Sequence, residues 1–217
     1  MLIFNLIKTK ILFKRILKIA VFVSGRGSNL QAILDYRQKI KPIKVEAVVS
    51  DKMNCPAFEI AKRNSISVFS VGSREGYVSY DQLSSLLLDL GIELIVLAGF
   101  LKLIPVDFVR RFENKMINIH PALLPSFGGK GMYGINVHQA VFKSSAKVSG
   151  ATVHLVDPDY DSGKIVAQRC VDISDVKSPE EIAERVLSIE HEILPYVVGK
   201  FAEGKVKVIN ERVVIFD

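Results

Sequence analysis

One segment constrains the fold of this chain more than any other: a continuous apolar run over residues 19–23 that passes directly into the sequence SGRGSN at residues 24–29. A strand that is apolar without alternation is typical of a parallel sheet, where both faces of the strand are buried. Residues 29–39 then have the pattern of a helix. A strand, a glycine-containing turn and a helix in this order predict a βα unit of an α/β protein.

Further strands and helices alternate along the next part of the chain. The helix that follows Ser79 is the best marked, because Gln82 completes a capping box and Gly91 follows its apolar face. Parallel strands joined by helical crossovers are therefore expected. The other predicted strands lie at residues 45–49, 67–69, 94–98 and 116–119, and the other predicted helices lie at residues 57–63 and from near Pro105.

The last third of the chain changes pattern. Residues 147–156 and 164–172 are strand-like and flank an acidic turn, which indicates a hairpin or a long β-connection. A helix is expected from Ser178, with Pro179 at its first position and Glu181 closing a capping box, to about Pro195 or a little beyond. Residues 206–209 and 213–216 are expected to form a small ribbon. The expected fold is a single α/β domain with a mostly parallel twisted sheet, flanking helices and a smaller antiparallel C-terminal part.

Positive charge is concentrated near the N-terminus. The 217 residues carry 29 Lys and Arg against 23 Asp and Glu, a net charge of +6, which by itself suggests a polyanionic partner. Residues 1–18 hold five basic residues and no acid, so the rest of the chain has a net charge of +1. We therefore divide the chain into a basic extension, residues 1–17, and a domain, residues 18–217, and expect no nucleic-acid partner.

The extension is interpreted as a dispensable segment, a weak amphipathic surface helix or the result of an upstream start site. Lysine and arginine interrupt each of its apolar runs, so a secretion signal is not expected. Cys55 and Cys170 form no CxxC pair, which argues against a disulfide framework and favours a reducing compartment. No apolar run reaches the roughly 18 residues of a membrane span. A cytoplasmic protein without a membrane partner is expected.

The SGRGSN turn is the first candidate site. Backbone N–H groups at a helix N-terminus, with glycines that remove Cβ atoms, form an anion site, and a phosphate is the natural ligand. The alternative is an ordinary βα turn that needs glycine for its backbone geometry. A dinucleotide fold would place a third glycine where Leu30 stands, although Asp51 could mimic its ribose-binding acid. No Walker-type GK[ST] is present, which leaves a monophosphate pocket.

The second candidate is the sequence NIHPALLP at residues 118–125. Asn118 and His120 are two positions apart at the end of a predicted strand, so their side chains point to the same side. An amide N–H can stabilise an oxyanion and an imidazole can move a proton at neutral pH, which suits acyl transfer. A histidine that merely caps the strand end before a proline-rich turn is the alternative.

The acidic loop at residues 157–163, DPDYDSG, is the third candidate. One of its acids could orient and charge an imidazole, but nothing local chooses which one, and a solvated turn or a weak cation loop is the alternative. A metal site is not expected, because no ligand motif joins the four histidines His120, His138, His154 and His191.

Taken together, five blocks resemble the folate-dependent phosphoribosylglycinamide formyltransferase family. The resemblance covers residues 18–217 and implies formyl transfer from 10-formyltetrahydrofolate to the amine of glycinamide ribonucleotide in purine biosynthesis. It also implies direct transfer without a covalent acyl-enzyme. The blocks are, in order, SGRGSNLQAI, LAGFLKLI, NIHPALLP, VHLVDPDYDSGKIVAQ and IEHEILP.

The same resemblance implies a catalytic group of Asn118, His120 and Asp161. Asp161 is chosen over Asp157 and Asp159 because it stands seven residues after His154 and directly before Ser162-Gly163, where the family places its aspartate. We expect Asp161 to raise the pKa of His120, so that the imidazolium persists nearer neutrality. The residues implied to bind the ribonucleotide are Gly27, Ser28, Asn29 and Glu190. The residues implied to bind the folate are Arg74, Leu101, Lys102, Leu103, Ile104 and Asn118.

The sequence departs from the family pattern at residues 126–137, SFGGKGMYGINV, which are longer than the family's connection. Lys130 with glycine on both sides indicates a mobile loop over the ribonucleotide, and His138 is left outside the catalytic group. No metal is expected, and the protein is expected to be a monomer or a homodimer. Three alternatives stay open: a methionyl-tRNA formyltransferase, a formyltetrahydrofolate hydrolase and a phosphate-binding module without turnover.

Overall fold

The computed structural model describes residues 16–40 and 42–216. Most of the predicted extension, residues 1–17, lies outside these residues, and so do the interpretations attached to it. Leu17 lies inside the described part and is the first residue of the first strand.

Seven strands form one sheet in the spatial order β3-β2-β1-β4-β5-β6-β7. The first five strands are parallel to one another, and β6 and β7 are antiparallel to their neighbours. The strands are β1 (Leu17–Phe22), β2 (Ile43–Ser50), β3 (Ser67–Ser70), β4 (Leu94–Leu97), β5 (Met116–His120), β6 (Val148–Leu155) and β7 (Ile165–Asp172). A separate antiparallel ribbon consists of β8 (Val206–Ile209) and β9 (Arg212–Ile215).

Six helices accompany these strands in the described part of the chain. They are α1 (Ser28–Ile40), α2 (Ala57–Arg63), α3 (Tyr80–Asp89), α4 (Val106–Arg111), α5 (Ile135–Lys143) and α6 (Pro179–Ala202). None of them is both long enough and apolar enough to cross a bilayer. The predicted fold class, a mostly parallel sheet with helices and a smaller antiparallel part, is confirmed.

The apolar run at the start of the domain is explained by a core on each face of the sheet. Ile19 and Val21 belong to the core that packs against α1, α2 and α6, whereas Ala20 and Phe22 belong to the core against α3 and α4. All four side chains are fully buried. A central parallel strand therefore needs apolar residues at every position, because neither of its faces meets water.

The predicted capping box of α3 is present in full. The Ser79 hydroxyl accepts the Gln82 N–H, the Gln82 side chain accepts the Ser79 N–H, and Gly91 follows the helix with φ +71°. The box predicted for α6 is only half formed. The Ser178 hydroxyl accepts the Glu181 N–H, but the Glu181 carboxylate accepts from the backbone N–H of Lys177 instead of Ser178.

One predicted helix was too short, and one helix was not predicted. Helix α6 continues beyond Pro195 to Ala202, and the buried Leu194, Val197 and Val198 explain why: the packing of this apolar face offsets the hydrogen bond that proline cannot make. The predicted loop 126–137 ends earlier than expected, because α5 begins at Ile135. The apolar residues of α5, which include the buried Val137 and Val141, have helical spacing, but the glycines that precede them made a loop the expected structure.

The order in which successive strands are added to the sheet reverses at β1. Strands β2 and β3 lie on one side of β1, and β4 and β5 lie on the other. The loops that leave the carboxyl ends of β1 and β4 therefore diverge and leave a crevice between them, the position at which open α/β sheets bind ligands.

Candidate active site

A cavity of about 720 Å³ opens at this crevice. Its walls come from the glycine loop after β1, the segment after β4, the end of β5, the loop before α5 and the acidic loop after β6. The structure brings all of the predicted site residues except Arg74 to this cavity. These are Gly27, Ser28, Asn29, Leu101, Lys102, Leu103, Ile104, Asn118, His120, Asp161 and Glu190.

His120 lies between two acceptors. Its Nε2–H donates to the carbonyl oxygen of Phe127 at 2.9 Å, and its Nδ1 lies 3.5 Å from Oδ2 of Asp161. The ring is 3% exposed, so neither contact is weakened by bulk water. With Nε2 donating, a proton on Nδ1 would face the carboxylate, and the contacts therefore favour the imidazolium.

The expectation that Asp161 raises the pKa of His120 above its ordinary value was wrong in its net result. Burial lowers the pKa of His120, and the opposing effects of the Asp161 charge and the Phe127 carbonyl do not compensate for it. The sequence could indicate the carboxylate partner but not the depth of the ring, and desolvation is the larger effect here.

Asp161 connects this histidine to a second one. Its Oδ2 accepts the backbone N–H of Gly129 at 2.9 Å, and its Oδ1 lies 3.6 Å from Nε2 of His154. Burial alone would raise the pKa of Asp161, but contacts that include the His120 ring and the Gly129 N–H outweigh it and hold the pKa below the ordinary value. Asp161 is therefore a carboxylate at neutral pH, with a backbone φ of +54° that aspartate tolerates better than most residues.

His154 is a site residue that the sequence reasoning used for alignment but did not assign. It lies opposite Asn118 in the β5–β6 register, and Nδ2 of Asn118 donates to Nε2 of His154 at 3.0 Å. Nδ1 of His154 donates to the Leu155 carbonyl at 2.8 Å, which fixes the tautomer. His154 reaches the site because β5 and β6 pair in antiparallel register, and the spacing of residues along the chain does not reveal that pairing.

His138 also lines the cavity, although it was left outside the catalytic group. It is 6% exposed on α5, and its Nδ1 has no hydrogen-bond partner among the described residues. Burial, with a smaller contribution from His120, lowers the pKa of His138 to about 4. The ring is therefore neutral at physiological pH and offers an acceptor or a donor to a ligand.

The glycine loop is shaped by close packing against α2. Gly27 has φ +79°, and a Cβ atom at this position would lie 2.7 Å from the Cβ of Ala57. The loop leads directly into α1, which begins at Ser28. Gly27, Ser28 and Asn29 line the cavity, and the N-terminus of a helix favours an anion because its first N–H groups have no partner within the helix.

Asn29 is held by the C-terminal helix. Its Nδ2 donates to Oε2 of Glu190 at 2.6 Å, and both residues are buried. Burial raises the pKa of Glu190, and the hydrogen bond from Asn29 opposes this only in part. The structure thus brings together two predicted ribonucleotide residues that are 161 positions apart in the chain.

The opposite wall is the segment after β4. Leu101 and Leu103 are 47% and 51% exposed, whereas Ile104 is buried. Arg74 does not line the cavity: it is exposed in the turn after β3, near the edge of the sheet, where its carbonyl accepts the Tyr77 N–H. Within the described residues, no group of three or more His, Cys, Asp or Glu side chains is placed to hold a metal ion.

Comparisons with known proteins identify the class. The family model described as "Formyl transferase" matches residues 17–198. A phosphoribosylglycinamide formyltransferase from Arabidopsis thaliana, described as chloroplastic, is 44% identical over 195 residues, which are 88% of this chain and 67% of that protein. A protein of the same name from Haemophilus influenzae is 36% identical over 194 residues, which are 88% of this chain and 89% of that protein. The chain therefore belongs to the formyl transferase family.

A solved structure points to the particular branch of this family. The crystal structure of phosphoribosylglycinamide formyltransferase from Anaplasma phagocytophilum superposes with a TM-score of 0.84 at 31% identity and covers 94% of this chain and 96% of that chain. Together with the two named relatives, it confirms the family predicted from the five sequence blocks, the phosphoribosylglycinamide formyltransferases.

Proposed function

We propose that this protein transfers the formyl group of 10-formyltetrahydrofolate to the amine of N1-(5-phospho-D-ribosyl)glycinamide, a step of purine biosynthesis. The observation that supports it most is that one cavity contains both a helix-terminal anion loop and the cluster of Asn118, His120 and Asp161. A phosphate held at one end of that cavity leaves the rest of a ribonucleotide to extend toward the cluster. The names of the relatives support the same reaction.

The ribonucleotide end of the cavity is the one with Gly27, Ser28, Asn29 and Glu190. The loop N–H groups suit a phosphate, because helix termini attract anions without a formal positive charge. Glu190, whose carboxyl is buried and already bonded to Asn29, suits ribose hydroxyls, which can donate to a carboxylate.

The wall formed by residues 101–104 fits the formyl donor. A pterin ring needs an apolar surface and backbone hydrogen bonds at its edge, and this segment offers exposed Leu101 and Leu103 on irregular backbone. Lys102 and the more distant Arg74 are exposed and suit the carboxylates of the folate tail. When bound, the donor supplies a formyl group on N10.

The transfer forms a bond between the amine nitrogen and the formyl carbon and breaks the bond from that carbon to N10, while one proton passes from the amine to N10. Negative charge develops on the formyl oxygen, and two groups that line the cavity would donate to it: the Asn118 amide, and the Nε2–H of His120 once it leaves the Phe127 carbonyl. Asp161 faces Nδ1 of the His120 ring at 3.5 Å and stabilises the positive charge that the ring acquires when it takes up a proton. We propose direct transfer, because the described residues that line the cavity include no cysteine and the lining serine, Ser28, lies in the phosphate loop.

The experiment is formyl transfer followed by the absorbance of the folate product, with the ribonucleotide present or withheld. The proposal requires product that depends on the ribonucleotide. Product formed equally without it would favour a formyltetrahydrofolate hydrolase, and no product in either case would favour a phosphate-binding module.

The domain organisation, oligomeric state, partners and location of the protein belong to the same proposal. We retain one formyltransferase domain over residues 18–217 after a basic extension, a monomer or homodimer, and small-molecule substrates without a nucleic-acid partner or a metal. We also propose a cytoplasmic location, although the Arabidopsis thaliana relative is described as chloroplastic. Light scattering of the native protein measures the oligomeric state, and imaging of the full chain with a C-terminal fluorescent fusion tests the location.

A further inference from the structure

Ser24 is a buried residue that joins three loops at the edge of the cavity. It lies two residues after the end of β1 and is 1% exposed. Its backbone N–H donates to the Gly99 carbonyl at 3.0 Å, and its own carbonyl accepts from Nζ of Lys52 at 2.7 Å. Its hydroxyl donates to Oδ1 of Asp51 at 2.6 Å and accepts the Leu101 N–H at 2.9 Å. Ser24 thus contacts the loops that follow β2 and β4 as well as its own.

The backbone and the side chain of Ser24 hold different parts of the site. Its backbone groups fix the start of the glycine loop against Gly99 and Lys52, and these bonds do not involve the hydroxyl. The hydroxyl bonds to Asp51 and Leu101 instead. Loss of the hydroxyl would therefore leave the backbone bonds to Gly99 and Lys52 in place and release residues 101–104.

That segment has little else to position it. Leu101 and Leu103 are about half exposed, so core packing does not hold them, and the segment has no helix or strand until α4 begins at Val106. The buried side chain of Ile104 holds its far end. Among the described residues, the Leu101 N–H to Ser24 hydroxyl bond is the hydrogen bond that ties residues 101–104 to the rest of the domain.

Asp51 gives this bond its direction. A serine hydroxyl has one proton and two lone pairs, and it rotates to suit its partners. With the proton directed to the Asp51 carboxylate, a lone pair is left for the Leu101 N–H. Asp51, which the sequence offered as a mimic of a ribose-binding acid, is instead bonded to this serine.

We propose that Ser24, oriented by Asp51, is a positioning residue for the formyl donor: its hydroxyl holds the Leu101 backbone and with it the wall against which the pterin packs. The inference rests on the proposed function, because it concerns the donor side of the same cavity. Neither hydroxyl nor carboxylate needs to touch either substrate.

The test compares Ser24→Ala and Asp51→Ala with Ser149→Ala as the matched control. Ser149 is an equally buried serine on β6, and its hydroxyl has no partner among the described residues. Because one hydrogen bond contributes up to about 1.4 kcal/mol, Ser24→Ala should raise the KM for 10-formyltetrahydrofolate by up to about tenfold. Its kcat at saturation and its KM for the ribonucleotide should stay within about twofold of wild type. Asp51→Ala should also raise the KM for 10-formyltetrahydrofolate, and Ser149→Ala should change neither KM nor kcat.

Binding gives a second measurement that does not depend on turnover. Calorimetric titration with 5-formyltetrahydrofolate, which serves here as a probe of pterin binding, should show a Kd weakened by the same factor in Ser24→Ala. Circular dichroism melting establishes that each variant is folded, and if Ser24→Ala does not fold, Asp51→Ala decides.

The outcomes separate the two proposals. A wild-type protein without ribonucleotide-dependent transfer refutes the proposed function. An active wild type overturns the positioning role if the donor KM is unchanged in the folded variants, or if both KM values rise equally.

Discussion

The side-chain amide of Asn118 donates to Nε2 of His154 at 3.0 Å, across the boundary between the parallel and the antiparallel part of the sheet. One amide N–H is used in this bond, and because Asn118 lines the cavity, the second N–H is the one that we expect to face a ligand. His154 is itself fixed by the Leu155 carbonyl, so the orientation of the amide is set before any ligand binds. Preorganised donors stabilise developing charge without reorganisation during the reaction.

Replacement of His154 should therefore reduce catalysis more than binding. We expect His154→Ala to lower kcat by about tenfold or more, because the Asn118 amide loses its fixed direction. Steady-state kinetics with both substrates varied measure the effect. His191→Ala, on α6 and outside this cavity, is the control and should retain wild-type kcat. A wild-type kcat in His154→Ala would show that the amide needs no such support.

Replacement of either His120 or Asp161 should be more severe than replacement of His154. We expect His120→Ala and Asp161→Asn to lose about 10²–10⁴-fold in kcat while ligand binding largely survives, because proton transfer and charge stabilisation depend on them. Calorimetry with the substrates and single-turnover rates separate the two effects. Asp159→Asn is the matched control: it lies in the same loop, lines the same cavity and is exposed. Similar losses in Asp159→Asn and Asp161→Asn would refute the specific role of Asp161.

The glycine loop permits a comparison of two neighbouring glycines. Gly27→Ala should lower the free energy of unfolding by about 1–3 kcal/mol, since its Cβ would overlap Ala57 and its φ is +79°. Gly25→Ala should change the free energy of unfolding by less than about 1 kcal/mol, because a Cβ there meets no atom within 4 Å. Urea denaturation of both variants measures the difference. Equal destabilisation of the two would contradict the packing argument.

His138 should make the fold sensitive to acid. Its pKa is about 4 in the folded protein and about 6.5 when unfolded, so between these values the unfolded chain binds the extra proton and stability falls as the pH falls. From pH 7 to pH 5 this histidine should contribute a loss of about 2 kcal/mol in the free energy of unfolding. His138→Gln should remove that contribution, which denaturation curves at the two pH values measure against wild type. A variant that loses as much stability as wild type over this range would show that His138 is solvated.

The repeated strand and helix pattern was predictable because each element carries its own signal. The continuous apolar run at residues 19–23 indicates a central strand, and the capping box of Ser79 and Gln82 indicates the start of α3. Helix α5 was missed because its start lies among glycines, and the length of α6 was underestimated because Pro195 is a helix breaker that here lies in a well-packed face.

Most residues of the candidate site were predictable, but His154 and the distance of Arg74 from the cavity were not, and neither were the contacts. The spacing of Asn118 and His120 on one strand was sufficient to place them on the same side. Partners such as Asn29 with Glu190, or Asn118 with His154, depend on the packing of distant elements and on the register of two strands. The net shift of the His120 pKa depends on how deeply the ring is buried, a property of the whole fold.

The hydrogen bond from Nε2 of His120 to the Phe127 carbonyl makes this ring a spectroscopic reporter of the backbone beside it. A ring nitrogen that exchanges a carbonyl partner for a ligand changes its chemical shift and the exchange rate of its proton. In protein labelled with nitrogen-15 at histidine, one resonance would follow the neighbouring loop through substrate binding, without a probe placed in that loop.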